Sequence, residues 1–145
     1  MHFKVISTFD KNLVEILNKD PVRPNIPSEK RLGTNKDIFS IWENNSISAI
    51  TCLSYLNFIP INENELFDEN CAPQIAVFYT IWSYQKGAGR QLILESVDYL
   101  YKNFTNIKRF VTLSPQNEMA RNFHIKNGAF LLNYNSNTVN YEYIV

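Results

Sequence analysis

The feature of this sequence that most constrains its fold is a nearly unbroken apolar run, residues 75–82, followed closely by a Gly-Ala-Gly turn at residues 87–89. Such a run is typical of a central strand that is buried on both faces. From Arg90 onward, apolar residues recur at helical spacing, which predicts an amphipathic helix of several turns. The sequence therefore predicts a strand, a tight glycine turn and a helix in direct succession.

Shorter strands and helices are predicted on either side of this unit. One helix, residues 11–18, begins after the capping residue Asp10, and another begins after Asn117 and ends at Gly128 in a left-handed cap. The Asn44-Asn45 pair predicts an antiparallel hairpin. The remaining predicted strands cover residues 3–6, 38–42, 47–55, 109–113, 130–132 and 139–145.

Two stretches are predicted to contain little regular structure. Three prolines indicate a loop over residues 20–36, with one helical turn near residues 28–32. Residues 60–73 are polar and acidic and predict a surface excursion with a helical turn. The strand at 109–113 should run parallel to the strand at 75–82 by the crossover rule. The whole order predicts an α/β fold, a mixed sheet with helices on its faces.

Composition narrows the possible classes of function. The 145 residues predict one domain, residues 1–145, and the net charge of zero without a basic stripe argues against nucleic acid as a partner. No apolar run approaches the roughly 20 residues that span a bilayer, and the N-terminus lacks a signal-peptide core, so we expect a cytoplasmic protein without membrane contact. Cys52 and Cys71 lack metal-site spacing, which predicts reduced thiols and no metal.

The turn from Gln85 to Arg90 has the chemistry of an anion site. Glycines allow close approach of the backbone to a ligand, and the helix that follows begins with free N–H groups and the positive end of its dipole. Lys86 and Arg90 add positive charge, and a pyrophosphate is a natural occupant. The spacing of a P-loop is absent, and Leu92 stands where a dinucleotide fingerprint has glycine. Taken alone, the turn could equally be a simple strand-to-helix connection.

A second motif, residues 117–128, lies one helix and one strand downstream. Together the two motifs resemble those of the GNAT superfamily of N-acetyltransferases, whose cofactor motif is [RQ]xxGx[GA] and whose later motif is NxxAxxFYxKxGF. The sequence matches the later motif at Asn117, Ala120, Phe123, Lys126 and Gly128. The resemblance implies a mixed, mostly antiparallel central sheet whose fourth and fifth strands splay apart, with flanking helices.

The resemblance also implies acetyl-CoA as cofactor. Its pantetheine arm would lie between the splayed strands against backbone groups of Tyr79 and Ile81, and a backbone amide near Tyr79 would polarise the thioester carbonyl. Asn117 and Phe123 would line the other wall of the channel. The pyrophosphate would be held by backbone amides of the turn, formed by Gln85, Lys86, Gly87, Ala88, Gly89 and Arg90.

Several residues depart from the family pattern. Tyr84 stands at the place of the family's Arg or Gln, with Gln85 one position late, and Ala129 replaces a Phe. His124 stands at the place of the Tyr thought to protonate the leaving thiolate. A histidine can act as a general acid near neutral pH, or it can be a packed, partly buried side chain.

No carboxylate lies on the strand at 75–82, so the base that deprotonates the acceptor is open among Tyr79, Tyr55, Glu43 and a water chain. The resulting expectation is an N-acetyltransferase in which a primary amine of a small molecule or peptide attacks acetyl-CoA directly. The acidic residues 63–69 could attract such a cation. The alternative is a non-catalytic CoA-binding sensor or interaction module on the same fold. A homodimer is possible because exposed edge strands can pair.

Overall fold

The computed structural model describes residues 1–68 and 72–145, which form one eight-stranded sheet flanked by helices. The predictions for Cys71 and for the acidic Glu69 lie outside the described residues. The strands are β1 (His2–Ile6), β2 (Lys36–Glu43), β3 (Ser46–Leu56), β4 (Ile75–Ser83), β5 (Arg109–Thr112), β6 (Ser114–Pro115), β7 (Phe130–Tyr134) and β8 (Thr138–Tyr143). The helices are α1 (Lys11–Leu17), α2 (Ala88–Asn103) and α3 (Glu118–Lys126), with 3-10 turns at Ser28–Lys30 and Glu63–Glu65.

The strands follow the order β1-β2-β3-β4-β5-β8-β6, and β7 pairs with β8. All pairings are antiparallel except that of β4 with β5, which confirms both the mixed sheet and the predicted parallel crossover. Because a parallel pair needs a long connection, α2 carries the chain back across one face of the sheet. The carboxyl end of β4 and the N-terminus of α2 are therefore brought together.

Two apolar cores cover the two faces of the sheet. On one face Leu92, Ile93 and Leu100 of α2 are fully buried with strand residues such as Phe39. On the other face Leu13 and Leu17 of α1 pack against strand residues of β2 to β5. Burial on both faces explains why β4 is a nearly continuous apolar run.

Local signals in the sequence account for the ends of the elements. Asp10 accepts a hydrogen bond from the Leu13 N–H at 2.7 Å and Asn117 accepts one from the Ala120 N–H at 2.8 Å, so both predicted N-caps are confirmed. Asn44 and Asn45 have positive φ angles, as a tight hairpin turn requires. Gly128 follows α3 with a φ of 103°.

Several predicted boundaries differ from the structure, and one short strand was missed. The amphipathic helix begins at Ala88 rather than Arg90, so the glycine turn is shorter and Gly89 belongs to the helix. The last strand ends at Tyr143 rather than at residue 145. The two-residue strand β6 was not predicted, because a Pro-containing pair carries no strand signal of its own. No helix within the described ranges is long and apolar enough to span a membrane.

Candidate functional site

The strands β4 and β5 separate partway along their length. The paired region begins where Ile75 lies opposite Arg109 and ends where Phe78 lies opposite Thr112. Just after it, the Leu113 N–H donates to the Phe78 carbonyl at 2.9 Å. Beyond this bond β4 continues to Ser83 with β3 as its partner. The two strands thus form a fork that opens toward the N-terminus of α2.

A β-bulge lies at the apex of the fork. The consecutive β3 residues Cys52 and Leu53 pair with Thr80 and Phe78, so Tyr79 is one extra residue on β4. A bulge disturbs the ladder and redirects side chains along the bulged strand. Here it places Tyr79 in the core beneath α1, while Ile81 packs against the core beneath α2.

A groove of about 450 Å³ occupies the opening of the fork. One wall is the end of β4, and the other is formed by the end of β5, by β6 and by α3. Pro21 and Val22, from the loop after α1, close one end. Other residues that line the groove are Trp82, Asn117, Phe123 and His124, together with Gly89 of α2.

The N-terminus of α2 adjoins the groove. Gly87 is the N-cap residue with a φ of 85°, a left-handed conformation that disfavours residues with a side chain. Gly87 provides no side-chain cap, and the Ala88 N–H donates to the Gln85 carbonyl at 3.2 Å, so the Gly89 and Arg90 amides that follow are the ones placed to meet an anion. Gln85 and Lys86 lie exposed beside this turn. Of the predicted turn residues, Gly89 lines the groove, and the others are its neighbours along the chain.

Gly89 allows α2 and α3 to approach each other closely. A Cβ atom at Gly89 would lie 3.1 Å from Cε1 of Phe123, which is tighter than ordinary van der Waals contact. The Arg90 side chain turns away from the turn, and its Nη1 donates to Oδ1 of Asn127 at 2.7 Å. This bond connects the beginning of α2 to the C-cap residue of α3.

His124 is buried on the inner face of α3, where its ring stacks on Tyr141. Its Nδ1 lies 2.7 Å from the hydroxyl of Tyr143. Burial lowers the pKa of His124 to about 4, so the ring is neutral at pH 7. Burial also raises the pKa of Tyr143, which keeps its proton.

The contact with Tyr143 relates the tautomer of His124 to the direction of this hydrogen bond. When the Tyr143 hydroxyl donates to Nδ1, the neutral imidazole carries its hydrogen on Nε2 and can donate from that atom. His124 is one of the residues that line the groove.

Of the candidate bases, Tyr79 is among the residues that line the groove, whereas Tyr55 and Glu43 are not. The Tyr79 side chain is fully buried, its ring packs edge-on against Phe67, and burial raises its pKa well above the ordinary value. Tyr55 donates to Oδ2 of Asp37 on β2. Glu43 lies at the end of β2, beside the hairpin turn. Among the described residues that line the groove, none is an Asp or a Glu.

A buried polar cluster lies behind the apex of the fork. Asp20 accepts hydrogen bonds from the Arg23 N–H at 3.0 Å, from the Thr80 hydroxyl at 2.8 Å and from Nη1 of Arg31 at 2.7 Å. Arg31 is fully buried, and its guanidinium forms an ion pair with the Asp20 carboxylate that has no contact with solvent. The cluster fixes the loop after α1 against β4.

Arg23 extends from this cluster into the fork. Its Nε donates to the Tyr79 carbonyl at 3.1 Å and its Nη2 to the Leu113 carbonyl at 2.8 Å. Glu63 lies 3.6 Å from Nη1. Burial lowers the pKa of Arg23, but the nearby carboxylates of Glu63 and Asp20 favour its charged form. Sequence reasoning missed this residue, because one arginine in a proline-rich loop carries no signal of burial.

Comparison with solved structures identifies the fold as GNAT-like. The acetyltransferase from Bacillus subtilis, solved with CoA, superimposes with a TM-score of 0.71 at 11% identity, covering 99% of this chain and 97% of that one. The GNAT domain of S. lividans PAT gives 0.69 at 13% identity, covering 99% and 89%. Malonyl-CoA decarboxylase from Agrobacterium vitis gives 0.71 at 24% identity, covering 83% and 34%.

The chain spans between 31% and 60% of the length of three malonyl-CoA decarboxylase structures that it matches. No protein-family model matches the sequence, and no curated protein is significantly similar to it. The mixed sheet, the parallel β4–β5 pair and the flanking helices nevertheless confirm the GNAT-like fold predicted from the two motifs.

Proposed function

We propose that this chain is an acetyl-CoA-dependent N-acetyltransferase that uses the fork as its cofactor site. The observation that carries the proposal is the position of three features around one groove: the unpaired edge of β4, the uncapped N-terminus of α2 and the α3 wall. An unpaired strand edge can bond an extended amide chain, and a helix N-terminus can bind a pyrophosphate. The strand edge therefore suits the pantetheine arm of CoA, and the helix N-terminus suits its pyrophosphate.

The amides at the beginning of α2 would bind the pyrophosphate, with Gly87 keeping side-chain atoms out of the way. Phe123 and Asn117 would cover the opposite side of the arm. Acetyl-CoA supplies an acetyl group already activated as a thioester. The protein residues have to orient that group, exclude water and stabilise the negative charge that develops on its oxygen.

The Ile81 N–H is the donor we assign to that oxygen. The Thr80 carbonyl accepts from the Thr51 hydroxyl on β3 at 2.7 Å, so it is turned toward β3. In a trans peptide the following N–H points the opposite way, which for Ile81 is into the fork. One preorganised donor of this kind contributes roughly 10²–10³ in rate in other acyl-transfer sites.

His124 would act on the leaving sulfur through its Nε2–H. A neutral ring donates a hydrogen bond but holds no readily released second proton at pH 7, so its role is to stabilise the thiolate as it forms. The acceptor amine would lose its proton to water, since the groove-lining residues that the structure describes include no carboxylate.

The alternative is a module that binds CoA without catalysis, and the same lack of a carboxylate favours it. Release of free thiol from acetyl-CoA, measured against a panel of primary amines, separates the two. Amine-dependent release supports the transferase. Binding of acetyl-CoA with no release above background for any amine contradicts catalysis and supports the module. Malonyl-CoA belongs in the same assay, because decarboxylases of that thioester share the fold.

A further inference from the structure

We infer that Arg23 is a positioning residue that holds the β4–β5 fork open and sets how deeply a CoA thioester can enter it. This inference rests on the proposed function, because it assumes that the fork is the CoA site. Arg23 does not line the groove; its effect passes through the two carbonyls that it binds.

The parallel ladder between β4 and β5 ends at the apex of the fork. The last ladder bond joins the Leu113 N–H to the Phe78 carbonyl. In a regular parallel pair the Thr80 N–H, two residues after Phe78, would donate to the Leu113 carbonyl and extend the ladder. Here Nη2 of Arg23 occupies that carbonyl at 2.8 Å. The side chain therefore replaces the bond that would close the strands together.

The guanidinium of Arg23 is planar and rigid. Its Nε and Nη2 donors are held in a rigid plane, and they reach one carbonyl on each strand, Tyr79 on β4 and Leu113 just after β5. A fixed separation of donors imposes a fixed separation of acceptors. A lysine has one point of donation on a flexible stem and cannot impose it.

Arg23 is itself held in place by the buried pair of Asp20 and Arg31. Oδ1 of Asp20 accepts from its backbone N–H, and Nη2 of Arg31 donates to its carbonyl at 2.9 Å. Only 9% of its surface is exposed. Asp20 also accepts from the Thr80 hydroxyl, so the same carboxylate links the loop to the bulged strand. The clamp is therefore preorganised before any ligand arrives, which lowers the cost of binding.

The hydrogen bond of Arg23 to the Tyr79 carbonyl affects where the pantetheine arm can pair with β4. The family resemblance assigns backbone groups of Tyr79 to the pantetheine arm, but Arg23 already occupies this carbonyl. Pairing of the arm with β4 would then begin beyond Tyr79, at Ile81. Arg23 would in this way place the thioester beside the Ile81 N–H rather than deeper in the fork.

Titration calorimetry with two ligands tests the inference. CoA spans the turn and the fork, whereas 3′-phospho-ADP, its nucleotide half, needs only the N-terminus of α2. For Arg23→Met we expect CoA affinity to fall about tenfold or more, with 3′-phospho-ADP affinity unchanged within about twofold. Arg23→Lys, which keeps the charge, should remain weakened for CoA. Equal losses for both ligands, or full recovery in Arg23→Lys, would overturn the inference.

Hydrogen exchange keeps this test separate from that of the proposed function. If the wild-type protein binds no CoA, the proposed function fails, yet the clamp can still be measured at the Leu113 amide. In folded Arg23→Met or Arg23→Lys we expect this amide to exchange about tenfold faster than in the wild type, with core amides of α2 unchanged. Unchanged exchange at Leu113 would show that Arg23 does not fix the fork.

Discussion

The imidazole of His124 and the hydroxyl of Tyr143 lie 2.7 Å apart, and this pair connects α3 to the last strand of the sheet. The pairing fixes the ring of a residue that lines the groove. It also explains why a histidine can be buried to 3% exposure on an otherwise amphipathic helix: Nδ1 has a partner, and the ring stacks on Tyr141. Protonation of the buried ring at low pH lowers the stability of the folded protein.

The first prediction concerns stability in acid. The unfolded chain binds a proton on His124 near pH 6.5, whereas the folded chain binds it only near pH 4, so stability falls as pH drops through this window. The shift corresponds to about 3 kcal/mol. In His124→Gln, which keeps a polar partner for Tyr143, we expect this part of the loss to disappear. Urea unfolding at pH 7 and pH 4 measures the difference, and equal pH dependence in both proteins would contradict it.

The second prediction concerns the pH dependence of the rate. With no base among the groove-lining residues described here, log(kcat/KM) should rise with pH up to the pKa of the acceptor amine itself. The neutral His124 should add no inflection between about pH 5.5 and 8. Two amines of different basicity provide the check. A break at the same pH for both would reveal a catalytic base on the protein.

The third prediction concerns the contact of Gly89 with Phe123. In Gly89→Ala the new Cβ would press on the ring, which borders open groove and can shift into it. We expect CoA binding to weaken about tenfold, while stability changes little because alanine favours helix by about 1 kcal/mol. Phe123→Leu removes the atoms in conflict. The double variant should therefore bind CoA as well as Phe123→Leu alone, and purely additive losses would refute the steric explanation.

The fourth prediction concerns the buried pair of Asp20 and Arg31. In Asp20→Asn the fully buried guanidinium loses its counter-charge, which typically costs about 3–5 kcal/mol. The exposed i,i+4 pair of Asp98 and Lys102 is the control, and Asp98→Asn should cost no more than about 0.5 kcal/mol. Chemical denaturation of both variants measures the contrast. Similar small losses would show that the buried pair does not anchor the loop.

Sequence reasoning succeeded where the signal is local. The tight turn at Gly87, the caps Asp10 and Asn117 and the apolar run of β4 each depend on neighbours along the chain, so these local features can be predicted from spacing. It failed where the role depends on tertiary contacts. The bulge at Tyr79 carries no glycine to mark it, and the burial of Arg23 arises only when the loop meets two distant strands.

The state of His124 shows the same limit from another side. Its position in the later motif was visible in the sequence, whereas its partner lies 19 residues away on β8. The lowered pKa comes from burial of the ring between α3 and the β8 side chains Tyr141 and Tyr143, which no motif records. A residue at a recognised position can thus have a different chemical role from the residue that it replaces.

The most direct test of the account is calorimetric titration of CoA into wild-type protein, Gly87→Asn and Gly87→Asp. Both substitutions introduce side chains that tolerate the left-handed conformation, but only aspartate adds a negative charge at the N-terminus of α2. We predict micromolar-range binding by the wild type, on the order of 8 kcal/mol, weaker but measurable binding by Gly87→Asn and none by Gly87→Asp. Absence of binding to folded wild-type protein, or equal binding by Gly87→Asn and Gly87→Asp, would contradict the assignment of this turn to the CoA pyrophosphate.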